Sequence, residues 1–212
     1  MAHHPRLVLV CPRAEDPSEL LPALSAALSA GRVDAVVLPL PKADDRAAVK
    51  FAKSFAPVVQ DAGAALLLED RFDLVTRAGA DGVHLADPAA LSEALEALRP
   101  QERIVGCAGL RARHDAMEAA ELGADYVTFG EPYPDGPVPP LSAVTERAAW
   151  WAELFQTPCV AYAPDAEAFE ALAKTTAEFV AAGPWILAAP EGPAAAVKAA
   201  LAVLEAHPLP VD

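Results

Sequence analysis

Short runs of apolar residues recur at fairly even intervals along the whole chain. Eight of them are rich in Val, Leu and Ile and occupy residues 7–10, 35–38, 65–68, 82–85, 104–107, 126–129, 159–162 and 178–181. The runs are continuous rather than alternating, which is typical of parallel strands that are buried on both faces. The pattern therefore predicts eight parallel strands.

Helical patterns separate most of these strands. Asp16, Pro17 and Glu19 form a helix start, with an N-cap, a proline in the first turn and an early acid, and Gly31 ends that helix. Further helices are predicted at residues 45–60, 88–98, 114–122, 142–155, 166–174 and 193–206, and only the segment at 71–77 is short. Strands that alternate with helices predict a closed barrel or a doubly wound sheet. The even spacing, and the lack of a glycine-rich dinucleotide turn after the first strand, favour a single (β/α)8 TIM barrel that forms one domain over residues 1–212.

Composition narrows the classes of partner. The net charge of −14 and the pI of about 4.7 argue against binding to nucleic acid or to an anionic membrane surface, because both need a basic footprint. No apolar run reaches the length of about 18 residues that a membrane-spanning helix needs. The three cysteines are far apart and show no metal-ligand spacing, which favours buried thiols in a reducing cytoplasm.

Two motifs carry a family resemblance. Residues 66–74 (LLLEDRFDL) are followed by residues 79–85 (GADGVHL), and residues 123–134 (GADYVTFGEPYP) contain the sixth predicted strand and its loop. These motifs resemble the signatures of the thiamine phosphate synthase family, which its thiazole tautomerase (TenI-like) branch shares. They lie in one register and leave the right number of strands on each side.

The resemblance implies a transferase reaction that condenses hydroxymethylpyrimidine diphosphate with thiazole phosphate, giving thiamine phosphate and diphosphate. It also implies Mg²⁺, which prefers oxygen ligands and joins carboxylates to substrate phosphates. Position by position, Asp70 matches a metal-binding Asp of the family, whereas the second metal Asp falls on Ala89 and Asp87 is its expected substitute. Residues expected to contact the substrate are Lys42, Asp70, Arg71, Tyr133 and Gly183. For Arg71, ion pairs with nearby carboxylates are the alternative.

Other positions depart from the family pattern. Leu38 and Leu40 replace a Gln and an Arg, and Pro164 stands in a Gly-Gly motif that offers N–H groups to phosphate. We therefore expect a degenerate phosphate site with weak or lost activity. The expected barrel mouth is acidic, so it repels diphosphate unless a metal neutralises the charge and suits a cation or a neutral polar ligand better. The acids of the mouth are Glu69, Asp70, Asp87, Glu131, Asp135 and Asp165. The expected ligand is a small phosphorylated or cationic heterocycle.

Several alternatives stay open at this point. The chain is either an enzyme of this family, a thiazole tautomerase, or a non-catalytic barrel that binds a small ligand or a partner. His84 is either a core residue or a general base, and His114 lies near the tautomerase histidine but out of register. We expect Lys42, Asp70, Asp87 and Tyr133 to share one pocket. A homo-oligomer is compatible with the sequence.

Overall fold

The eight apolar runs form a closed parallel barrel. The computed structural model describes residues 3–133 and 136–210. Its strands follow one another around the barrel in chain order, and β8 pairs with β1. Each predicted run coincides with a strand to within one residue at either end, and the predicted TIM barrel is confirmed. The strands are β1 (Arg6–Val10), β2 (Ala35–Leu38), β3 (Ala65–Glu69), β4 (Gly82–Leu85), β5 (Ile104–Cys107), β6 (Tyr126–Phe129), β7 (Cys159–Ala163) and β8 (Phe179–Ala182).

Helices cover the outside of the barrel. They are α1 (Leu21–Leu28), α2 (Asp45–Asp61), α3 (Val75–Ala78), α4 (Leu91–Leu98), α5 (Arg113–Leu122), α6 (Leu141–Leu154), α7 (Ala166–Ala173) and α8 (Pro193–Glu205). Asp16 caps its segment as predicted, but that segment opens with a 3₁₀ turn (Pro17–Glu19) before α1. The predicted helix at 88–98 likewise divides into a 3₁₀ turn (Pro88–Ala90) and α4. No helix in the described part of the chain is long and apolar enough to span a membrane.

Strand side chains divide between two cores. On β8, Val180 and Ala182 face the helices and belong to the large outer core, whereas Ala181 faces the barrel axis. The inner core is small, because short side chains such as those of Ala35 and Ala65 point inward. A cavity of about 300 Å³ consequently remains inside the barrel, where TIM barrels are usually filled by layers of side chains.

The repeated Gly-Ala-Asp phrase stabilises the amino-terminal face of the barrel. Gly79 and Gly123 end their helices at φ values of +73° and +103°, in the left-handed region that favours glycine. The carboxylates of Asp81 and Asp125 accept hydrogen bonds of 2.8 Å from backbone N–H groups of β3 and β5. These contacts tie neighbouring strands together at the end of the barrel where TIM barrels place stabilising residues.

Candidate functional site

A cavity of about 260 Å³ opens at the carboxyl ends of the strands. TIM-barrel enzymes carry their active sites at this end. Four of its charged or titratable side chains come from two strands and two loops: Glu69 ends β3, His84 lies on β4, and Arg13 and Glu131 follow β1 and β6. Tyr162 of β7 adds a phenol to the wall. These residues converge from across the barrel, although they are far apart in sequence.

His84 points into the barrel and is held on both sides. Its Nδ1 lies 2.7 Å from the Tyr126 hydroxyl, and its Nε2 lies 2.9 Å from Oε2 of Glu131. The imidazole is 3% exposed and stacks on the Tyr126 ring at a centroid distance of 5.8 Å. Because both ring nitrogens are occupied, His84 acts on the cavity through Glu131.

The ion pair with Glu131 sets the charge of His84. Burial alone would lower the pKa of His84, but the Glu131 carboxylate, and Glu69 and Asp70 farther off, raise it above the ordinary value of a histidine. Burial raises the pKa of Tyr126 well above its usual range, and the nearby Glu131 charge adds to that effect. The arrangement therefore favours an imidazolium paired with a carboxylate, beside a neutral phenol.

Arg13 and Glu69 form the second ion pair of the cavity. The Arg13 guanidinium donates to the Glu69 carboxylate and, over 3.1 Å, to the backbone carbonyl of Leu40. Burial raises the pKa of Glu69; Arg13 opposes this rise, whereas the charges of Asp70 and Glu131 reinforce it. The two glutamates are thus neighbours in one cavity, each with its own basic partner.

The residues expected to contact the substrate surround this cavity rather than line it. Lys42 is exposed beyond β2, and Tyr133 carries the Arg111 guanidinium 4.5 Å from its ring centroid. Gly183 is buried behind the wall, where a Cβ atom would lie 2.6 Å from the Tyr162 hydroxyl. All of them follow strands of the same polarity, but none is among the residues that form the wall of the cavity.

Arg71 makes ion pairs instead of pointing into the cavity. Its guanidinium contacts Asp45 at 2.6 Å and Asp73 at 2.8 Å, as in the alternative considered for it. Hydrogen bonds from Arg71 hold the pKa values of both carboxyls below their usual range. Arg71 therefore links the start of α2 to the turn after β3.

Asp70 and Asp87 lie next to each other at the rim. Oδ1 of Asp70 accepts a hydrogen bond of 2.8 Å from the backbone N–H of Ala86, the residue before Asp87. Oδ1 of Asp87 accepts one of 2.9 Å from the N–H of Ala89. Both side chains are exposed, and each carboxylate has a second oxygen that these bonds leave free.

Asp70 and Asp87 can hold Mg²⁺ only together with ligands from outside the protein. In the ranges 3–133 and 136–210, no cluster of three or more His, Cys, Asp or Glu side chains could hold a metal. Mg²⁺ bound to enzymes commonly takes one or two carboxylates, several waters and substrate phosphates. Asp70 and Asp87 therefore suit a Mg²⁺ ion that arrives with a diphosphate.

Other candidates are engaged elsewhere or lie outside the described residues. His114 is exposed and pairs with Glu118 one turn along α5, at 3.1 Å. Asp165 caps α7, and Asp135 lies outside the described residues. The three cysteines are free and buried, and burial raises the pKa of Cys11 to about 12, so these thiols serve packing.

Sequence reasoning missed Arg13 and Tyr126. The direction of His84 had a usable signal: Val83 and Leu85 are apolar and face the helices, so His84 between them must face the axis. No pattern in the sequence predicted the pairing of His84 with Glu131, because 47 residues separate them.

Comparisons with known proteins agree on one family. A family model described as thiamine monophosphate synthase matches residues 7–185. A thiamine-phosphate synthase of Rhodospirillum centenum is 40% identical over 194 residues, which cover 91% of this chain and 94% of that protein. One from Hyphomonas neptunium is 34% identical over 210 residues, or 94% of each.

Solved structures show the same fold at lower identity. Thiamine phosphate pyrophosphorylase from Pyrococcus furiosus aligns with a TM-score of 0.78 and 22% identity, over 95% of this chain and 96% of that one. A 3-hexulose-6-phosphate synthase aligns with a TM-score of 0.71 and 20% identity, over 93% and 99%. At these identities the likeness concerns the barrel alone.

Proposed function

Because the chain belongs to the thiamine monophosphate synthase family, we propose that it is an active synthase. In this reaction the bond between the pyrimidine methylene carbon and the diphosphate oxygen breaks, and diphosphate leaves with the electron pair. The ring nitrogen of thiazole phosphate supplies its lone pair to the same carbon. The products are thiamine phosphate, whose thiazolium ring is cationic, and diphosphate.

The observation that carries the proposal is the pair of carboxylates in the mouth cavity. Glu69 and Glu131 both line it, close to the strand ends where barrel enzymes bind substrate. Positive charge develops on the pyrimidine methylene as diphosphate departs, and it persists on the thiazolium. Fixed negative groups that are partly buried, as Glu69 and Glu131 are, stabilise such charge in the transition state.

The diphosphate needs positive charge nearby, and two basic side chains can supply it. Arg13 lines the cavity, and Lys42 stands exposed on the neighbouring loop after β2. Asp70 and Asp87 would hold Mg²⁺ once the diphosphate is bound, and the ion would neutralise the leaving group. Arg13, Lys42 and the metal would face the departing anion, and Glu69 and Glu131 would face the cation, which matches the polarity of a substrate that splits into an anion and a cation.

The expectation of weak or lost activity has no support among the relatives. Proteins 40% and 34% identical to this chain over most of its length are named thiamine-phosphate synthases. The site positions that depart from the family motifs, such as Leu40 and Pro164, therefore speak for a different set of phosphate contacts rather than for inactivity. His114, paired on the surface of α5, gives no reason to prefer a tautomerase.

The test is a condensation assay with the purified protein, both substrates and Mg²⁺. We expect thiamine phosphate and diphosphate in equal amounts, with a turnover of about 1 s⁻¹ or more, the ordinary range for enzymes. Omission of either substrate should abolish diphosphate release. Absence of product at saturating substrates would refute the proposal and favour a non-catalytic binding barrel.

Asp70→Asn examines the metal role in the same assay. We expect it to lower turnover at least about tenfold and to raise the Mg²⁺ concentration needed for half-maximal rate. Asp115→Asn is the matched control, since Asp115 caps α5 by accepting from the backbone of Arg111 and Ala112. An unchanged Mg²⁺ dependence in Asp70→Asn would remove Asp70 from the metal site.

A further inference from the structure

We infer that Glu131 is the specificity-determining residue of the mouth cavity, and that its carboxylate accepts N–H groups from an amino-substituted nitrogen heterocycle. The inference rests on the proposed function, since the pyrimidine half of the substrate is the ligand that would occupy this position. It assigns to one side chain of this protein the selection of that ring.

A chain of hydrogen bonds through His84 holds Glu131 in a fixed position. His84 contacts one of its oxygens at 2.9 Å, and Tyr126 contacts the opposite side of the same imidazole at 2.7 Å. All three side chains are buried or nearly so, with Glu131 13% exposed. A carboxylate anchored at one oxygen presents the other at a defined place, which directional recognition needs.

The two carboxylates of the cavity differ in what they can offer a ligand. Glu69 is paired through Oε2 with Arg13, whose side chain is 57% exposed, whereas the partner of Glu131 is the buried imidazole of His84. The contact of Glu131 with His84 is made through Oε2, and a carboxylate has about four acceptor sites on its two oxygens. Glu131 therefore keeps acceptor capacity toward the cavity, and it has no hydrogen to donate.

A carboxylate that can only accept hydrogen bonds distinguishes ligand groups that donate from ligand groups that accept. An exocyclic amine or a protonated ring nitrogen donates to it, whereas a carbonyl oxygen at the same ring position meets a second acceptor and is repelled. The size is also suitable, because a cavity of about 260 Å³ exceeds the roughly 150 Å³ that accommodates benzene in an engineered protein cavity. One substituted ring fits.

Calorimetry with two phosphate-free probes tests the inference. The probes are 4-aminopyrimidine and 1-methylpyrimidin-4-one, which carry a donor and an acceptor, respectively, at ring position 4, and the methyl group removes the ring N–H that could otherwise donate to Glu131. Wild-type protein should bind the amino compound at least about tenfold more tightly, the ratio expected from one hydrogen bond to a charged group. In Glu131→Gln the amide can present either an oxygen or an NH₂ group, and the preference should fall to about twofold or less.

Two further variants separate recognition from folding. Glu131→Asp keeps an acceptor-only group and should retain a preference for the amino probe even if both bind more weakly, so it decides the matter if Glu131→Gln fails to fold. Glu69→Gln changes the other carboxylate of the cavity and should leave the preference intact. Near-ultraviolet circular dichroism establishes that each variant keeps its tertiary structure.

The inference is overturned if wild-type protein binds neither probe or binds both equally, if folded Glu131→Gln keeps the preference, or if Glu69→Gln loses it. These results are independent of catalysis, because no probe carries phosphate and no turnover is measured. A tenfold preference without condensation activity would refute the proposed function and leave the assignment of Glu131 intact. Turnover without the preference would refute the assignment of Glu131 and leave the proposed function intact.

Discussion

Gly106 shows how one residue makes the buried network possible. It lies on β5 opposite Tyr126, and a Cβ atom at this position would lie 1.9 Å from the phenol carbon Cζ. The lack of a side chain lets the tyrosine ring of β6 pass over β5 and reach His84 on β4. The position of Glu131 thus depends on a glycine on a different strand.

Replacement of Gly106 by Ala should therefore disturb the whole network. Neither the strand backbone nor the enclosed ring can yield easily, and overpacking of this kind costs about 1–3 kcal/mol of unfolding free energy. Urea unfolding measures the loss. Gly136→Ala, where the nearest atoms lie at 3.4 Å or more, should change stability by less than about 0.5 kcal/mol; equal stability of both variants would show that Tyr126 has room to move.

At the scale of elements, local signals in the sequence predicted more than long-range ones could. Strand positions followed from apolar runs, and helix starts from caps such as Asp16, because these depend on neighbouring residues. Placement around the mouth depends on loop paths, so sequence alone put Lys42 and Tyr133 in a shared pocket while the cavity wall is built from Arg13 and Glu131. The sequence predicted at which end of the barrel each residue lies, but it did not predict which of these residues line the cavity.

Arg71 connects the start of α2 to the turn after β3. Its contribution to the free energy of unfolding should depend on pH. Asp45 and Asp73 have pKa values lowered in the folded state by its hydrogen bonds, so their stabilising effect is complete above the unfolded value near about 3.9 and is lost as pH falls below it. Arg71→Ala should be less stable than wild type at pH 7, and the difference should shrink toward pH 3. Urea unfolding at both pH values measures it.

Lys198→Ala provides the control for that experiment. Lys198 is exposed on α8, away from these carboxylates, and its replacement should give a stability difference that does not change between the two pH values. A difference for Arg71→Ala that stays constant or grows on acidification would contradict the role of the two ion pairs.

In the molecule as a whole, the net negative charge of the chain contrasts with the basic residues at the mouth cavity. The chain carries a net charge of −14, yet Arg13 lines the mouth cavity and Lys42 lies exposed on the loop after β2. Inside, His84 and Glu131 line both the mouth cavity and the 300 Å³ cavity of the barrel interior. The pair thus forms the floor of the proposed active site and separates it from an apolar space.

A crystal structure of the protein with thiamine phosphate would decide where the substrate binds and which residues contact it. We expect the aminopyrimidine ring in the mouth cavity, with its amino group within hydrogen-bonding distance of Glu131, and the phosphate on the side of Arg13 and Lys42. Product bound at the amino-terminal end of the barrel, or no bound product at a saturating concentration, would contradict it.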